Sequence, residues 1–132
     1  MPVLTLTIKD ETAAGKIVNE VKISFASEMA TVEDIVKARV TAEVEAYNKK
    51  ATGLFYGLIQ PTNAEKSLNG YKLNPRQKVD VEKQVLTALG AFSRNAYFVL
   101  IDNIQARSLD QMVVINQKTE ISFIKLTPLV GG

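Results

Sequence analysis

The last four residues, Leu129-Val130-Gly131-Gly132, follow closely on a strand-like apolar stretch and end in a di-glycine. At an average glycine usage of about 7%, two such residues close a chain by chance in about 0.5% of cases, so the pair asks for a physical reason. Glycine has no Cβ, and a Gly-Gly segment can lie extended in a narrow channel that excludes side chains. A channel of that kind suits an enzyme that must reach a terminal carboxylate and activate it. The plain alternative is a loose end or a cloning remnant without meaning. The rest of the chain has to decide between them.

Composition narrows the chemistry first. The 132 residues are 46% hydrophobic and 23% charged, which fits one domain with a real core and argues against disorder. A net charge of +2 is too small to point to nucleic acid or an anionic membrane, and neither is expected as a partner. The basic residues are scattered, with Lys49-Lys50 the one adjacent pair, and read as a solvated face. There is no cysteine, histidine or tryptophan. Disulfides, thiolate metal sites, cysteine nucleophiles and every Ser-His-Asp or Cys-His arrangement are thereby excluded. No EF-hand loop, paired acidic cluster or glycine-rich phosphate loop appears, so neither a metal nor a cofactor is expected. No apolar run approaches membrane-spanning length, and Met1-Pro2-Val3 does not open a signal peptide, so a cytoplasmic location is expected. The chain is poorly equipped to act as an enzyme itself.

The elements that would carry such a tail can be read from periodicity. Leu4, Leu6 and Ile8 alternate with Thr5 and Thr7, and Val21, Ile23 and Phe25 alternate with Lys22 and Ser24. With turn formers over Asp10 to Lys16, including Gly15, these two strands predict a hairpin. Thr31 is placed to cap a helix whose first turn holds Glu33 and Asp34. Val32, Ile35, Val36, Val40, Val44 and Tyr47 make one apolar stripe over residues 32–48, while Glu33, Lys37, Glu43 and Glu45 fall on the other faces. Residues 49–78 are less regular, with Leu54 to Ile59 a strand candidate and turns at Pro61-Thr62-Asn63 and Asn69-Gly70. Asp80 predicts a second cap, before a helix with Val81, Val85, Ala88, Leu89 and Phe92 on one face and a weak point at Gly90. Tyr97 to Ile101 reads as a central strand buried on both faces. Ile104-Gln105 reads as a short edge strand after the Asp102-Asn103 turn, and Ser108 to Asp110 as a tight helical turn. Thr119 to Leu126 reads as a last strand with Ile121 and Phe123 on one face and Ile124 and Leu126 on the other. The core is expected to gather Leu4, Leu6, Val21, Ile23, Val32, Ile35, Val36, Val40, Val99, Ile101, Ile121 and Phe123 on one face of a mixed four- or five-stranded sheet.

In this order the pieces resemble ubiquitin and the β-grasp family. Gly15-Lys16, the strand ending at Phe25, and the run from Thr31 to Val40 are similar to the ubiquitin hairpin and first helix. Val99 to Asp110 is similar to its central strand, edge and following turn, and Thr119 to Leu126 to the strand that leads into its tail. The resemblance covers about 80 residues, with 49–95 as an insertion, and implies an α+β class: a single ubiquitin-like domain over residues 1–132 whose mixed sheet packs on one main helix. Length and insertion look like bacterial ubiquitin-like proteins encoded beside their own activating and conjugating enzymes. Leu129-Val130 stands where ubiquitin has leucine and arginine, so a partner reading that arginine would fail here. Pro128 has no ubiquitin counterpart; its fixed φ and missing N–H would end strand pairing and project the tail, residues 127–132, clear of the fold.

What the resemblance implies is a protein modifier. A separate ubiquitin-activating-like enzyme would adenylate the Gly132 carboxylate with ATP, because a free carboxylate has no leaving group. The acyl group would pass to an enzyme cysteine and then, through a conjugating enzyme, to an amine or hydroxyl of a target protein, and a peptidase would reverse the link. Gly131 and Gly132 would enter the activation channel, while Pro128, Leu129 and Val130 would be read by the enzyme. Ile124 and Leu126 occupy the sheet face that ubiquitin uses for docking, unless the insertion covers it. A sulfur carrier ending in a Gly132 thiocarboxylate, and a β-grasp module that self-associates with an unactivated tail, remain open alternatives.

Overall fold

The computed structural model describes residues 4–62, 64, 65 and 70–126, together with the backbone of 66 and 67. In chain order the elements are β1 (Leu4–Glu11), β2 (Ile17–Phe25), β3 (Met29–Thr31), α1 (Val32–Lys50), β4 (Leu54–Phe55), β5 (Glu65–Ser67), β6 (Gly70–Lys72), α2 (Val81–Ser93), β7 (Tyr97–Ile101), β8 (Ile104–Gln105), β9 (Met112–Val114) and β10 (Ile121–Lys125). Five strands form one mixed sheet in the order β2-β1-β10-β7-β8. Its first pair is the antiparallel hairpin β1–β2, and β1 then runs parallel to β10, pairing Ile8 with Ile121 and Asp10 with Phe123. Parallel neighbours cannot be joined by a tight turn, and here the connection runs by way of α1 and the intervening elements. The class is α+β, with one main helix packed on the sheet.

The helix forms where the stripe predicts it and runs slightly further, to Lys50. Thr31 Oγ1 accepts from the Asp34 N–H at 3.0 Å, and Asp34 Oδ2 accepts from the Thr31 N–H at 3.1 Å, a reciprocal cap that satisfies two donors at once. All six apolar residues of the stripe are buried, and Ile35, Val36, Val40 and Val44 expose nothing. They meet Leu6, Ile8, Ile23, Val99, Ile121 and Phe123, with Leu4, Val21 and Ile101 at the margin. The second helix starts at its Asp80 cap, 3.0 Å from the Lys83 N–H, and continues through Gly90 to Ser93. Ala88 is buried, while Val81, Val85, Leu89 and Phe92 pack on the core as half-buried side chains.

Several sequence expectations change. The candidate strand over 54–59 pairs only at Leu54 and Phe55, in a small sheet ordered β4-β6-β5. Beyond it Leu58 turns inward to the core. The first strand continues through Asp10, which sequence reading gave to a turn. Strand β7 lies between β10 and β8 with Tyr97 and Val99 buried, but Phe98 and Leu100 are only half-buried, so one of its faces is covered rather than both. Ser108 to Asp110 is a hydrogen-bonded turn, not a helix, with the Gln111 N–H donating to the Ser108 carbonyl. A two-stranded ribbon, β3 with β9, was not anticipated. No helix among the described residues is long and apolar enough to cross a membrane.

Candidate functional site

The residues assigned to activation and tail recognition, Pro128, Leu129, Val130, Gly131 and Gly132, lie outside the described residues. The last described strand, β10, reaches toward them from the centre of the sheet. Its two faces have different chemistry.

On the face away from α1, register places side chains in rows across the strands. One row runs Phe98, Ile124, Glu11, Ile17 over β7, β10, β1 and β2, and the next runs Leu100, Ser122, Lys9, Glu20. Ile124 is half-buried within this surface, and Leu126, two residues on, is 42% exposed. Of the described residues in 54–72, Phe55 and Leu58 go to the helix side: Phe55 packs on Tyr47, the Leu58 N–H reaches Glu43, and both are buried in the core. The open face is thus a mixed surface, with Phe98, Leu100, Ile124 and Leu126 along β7 and β10 and charges along β1 and β2.

On the helix side, Asp10 continues the inward alternation of Leu6 and Ile8 and is 1% exposed. Arg39, fully buried on α1, grips it with both terminal nitrogens: Nη1 donates to Oδ1, and Nη2 to Oδ2 at 2.6 Å. The Arg39 Nε donates to Glu43 Oε2 at 3.1 Å, one helical turn on, and the guanidinium lies 4.6 Å from the centre of the Phe123 ring. The other Glu43 oxygen accepts from the Leu58 N–H at 3.0 Å. Nearby, Lys125 Nζ donates to the Gly57 carbonyl at 2.9 Å and faces the Tyr71 ring at 5.6 Å. A forked guanidinium between two carboxylates satisfies each group as it leaves water, which a buried charge requires. Desolvation, reinforced by Asp10, raises the Glu43 pKa above its ordinary value despite Arg39. Desolvation lowers that of Lys125, with Asp10 acting in the opposite direction.

Two assignments from the sequence are corrected by this cluster. Glu43 is not on a solvated face but 8% exposed, and Arg39 is not one of the solvated basic residues. The signal was present: an Arg-Glu pair at i, i+4 beside Val36 and Val40, and an aspartate at an inward strand position. All four carboxylate oxygens have donors, so the cluster holds β1, α1 and the insertion together.

A concavity of about 740 Å³ opens between Glu33 on α1, Phe92 and Ser93 on α2, and the segment from Gln105 to Asp110. Its rim mixes Glu33 and Asp110 with Arg107, so it selects no single sign of charge. Among the described residues no group of three or more acidic, histidine or cysteine side chains is placed to hold a metal ion. No protein-family model, curated protein or solved structure matches the chain.

Proposed function

We propose that the chain is a β-grasp protein modifier of the ubiquitin-like kind, with Gly132 as the carboxylate that a separate activating enzyme adenylates. The observation that carries this reading is the strand order. A hairpin, a helix across one sheet face, and a final strand inserted parallel to β1 at the sheet's centre are the arrangement such a modifier needs. The strand leading to Gly131-Gly132 then starts from the most firmly paired part of the sheet, between β1 and β7. The last described strand is thereby fixed relative to the body, and an enzyme surface that docks on the body can take up the residues that follow it. The modifier supplies the carboxylate and that surface, and the partner enzymes supply the chemistry. The open sheet face with Ile124 and Leu126 supports the docking role assigned to it.

The test is activation in vitro. With ATP and its cognate adenylating enzyme, the protein should gain an adenylate and then a thioester through Gly132, and reach a target as an amide or ester. Deleting Gly131-Gly132 should abolish transfer and leave the melting temperature unchanged, because two terminal glycines have no side chain to contribute to a core. Attachment of the truncated protein to targets would rule the reading out. A thiocarboxylate as the end product would instead favour sulfur transfer.

A further inference from the structure

The sheet has two ends, and they are built differently. At one, β8 is only two residues long, too short to template another strand. At the other, β2 has nine residues and pairs only with β1. An uncovered edge of that length invites pairing, and a lone lysine on it normally prevents this by repelling a second copy. Here Lys22 has a companion of opposite sign, Glu20, on the same exposed face two residues away.

We infer that β2 is the interface of a symmetric dimer, in which the β2 strands of two copies pair antiparallel about Val21. A two-fold axis perpendicular to the sheet keeps each face continuous, so facing residues must share a face. About Val21 the facing pairs are Asn19 with Ile23 and Glu20 with Lys22, each occurring twice. Shifting the axis to Ile23 sets Lys22 against Ser24, and shifting it to Asn19 sets Lys22 against Lys16. The Val21 register therefore joins opposite charges across both symmetric pairs. Glu20 already faces Lys9 of its own sheet, and in the dimer it sits between Lys9 and the lysine of the second copy.

A second element lies on the same edge. Above β2, a groove of about 390 Å³ separates it from α1 and is lined by Lys22, Ile23, Ala38, Thr41, Ala42 and the flanking Lys37 and Glu45. Lys37, which also pairs with Glu33 of its own helix at 3.1 Å, and Glu45 stand at equal spacing on either side of Thr41. The two-fold axis sets two α1 helices antiparallel, so each lysine is carried toward the other copy's glutamate, over small side chains that allow close approach. The second copy is the occupant the charges select, because the Glu20–Lys22 edge is complementary to itself. The interface leaves β10 two strands away, so dimerisation and tail activation stand or fall separately.

The experiment is charge reversal read by sedimentation equilibrium over a concentration series, with circular dichroism to confirm folding. Wild type should dimerise. Glu20→Lys and Lys22→Glu should each weaken the dimer by about tenfold or more, since both pairs turn repulsive. The double variant Glu20→Lys/Lys22→Glu should regain most of the lost affinity, falling short of wild type because position 20 then meets Lys9 with like charge. An equimolar mixture of the two single variants should form a heterodimer more readily than either self-associates. A wild type that stays monomeric, or single variants that dimerise like wild type, would overturn the proposal.

Discussion

The sheet with α1 and the segment between α1 and α2 are held by different forces. In the first, long regular elements satisfy their own backbone groups, and apolar burial joins them: Ile8, Ile35, Val40, Val99 and Phe123 expose nothing. In the second, β4, β5 and β6 are two or three residues long and leave much of the backbone without a ladder partner. Side chains of the body supply the bonds instead. Glu43 takes the Leu58 N–H, Lys125 the Gly57 carbonyl, Gln84 the Ile59 carbonyl at 2.5 Å, and Asn48 both the N–H and the carbonyl of Val79. Buried backbone groups must be paired, so an irregular segment survives where a regular neighbour offers donors and acceptors to it. The insertion depends on the body's polar groups, and the body depends on its own apolar core.

The largest break in that comparison is expected at Arg39, which belongs to both regions. Arg39→Met leaves the Asp10 and Glu43 carboxylates buried beside an apolar side chain, which costs about 3–5 kcal/mol. Denaturant unfolding should show that loss with the slope unchanged. A loss below about 1 kcal/mol would mean that the cluster is screened by water and is not part of the core.

How much of this was legible follows the same division. The hairpin, both helices, β7 and β10 are long enough, or apolar enough, to be read from their pattern, β8 is marked by the Asp102-Asn103 turn before it, and the expected core residues all lie in or against the core. The ribbon of β3 and β9 was not legible. Each strand has three residues and buries one of them, Ala30 or Val113, so neither carries a period, and their pairing joins positions far apart in sequence. The run from Leu54 to Ile59 looked like a strand because periodicity cannot distinguish a buried turn from a buried strand. What ends it is tertiary: Leu58 leaves the line to reach Glu43. The Asp10–Arg39 pair is hidden in the sequence because Asp10 reads as a turn former and Arg39 as one of the solvated basic residues, although the inward alternation of β1 and the stripe of α1 point both into the core. The di-glycine and its neighbours lie outside the described residues, so that part of the site rests on the sequence reading.

Next in size is Gly57. A Cβ built there would stand 2.1 Å from Cε2 of Phe55, whose ring is 2% exposed and set edge-on to Tyr47 at 5.5 Å. The ring is buried between Tyr47 and Tyr71 and must shift for a Cβ to fit, so Gly57→Ala should cost about 1–3 kcal/mol as overpacking. The comparison sharpens if the damage is local. Hydrogen exchange should speed up at residues 54–59 while amides of β1 and β10 keep their protection. Equal acceleration in both regions would show that the insertion folds as one unit with the sheet.

The smallest effect is expected from Glu43, and it appears as a dependence on pH. Its folded-state pKa lies above the ordinary carboxylate value, so the native protein holds this proton more tightly than the unfolded chain does. Its contribution to stability is therefore complete below the ordinary carboxylate pKa and is lost as pH rises through the raised folded value. Glu43→Gln removes that titration while keeping an oxygen for the Leu58 N–H. Subtracting the variant's stability from wild type at each pH should give a difference that falls as pH rises above the ordinary carboxylate value, then levels off. If the difference rises instead, Arg39 and the Leu58 N–H outweigh desolvation at this carboxylate, and the ionised form is the one the insertion requires.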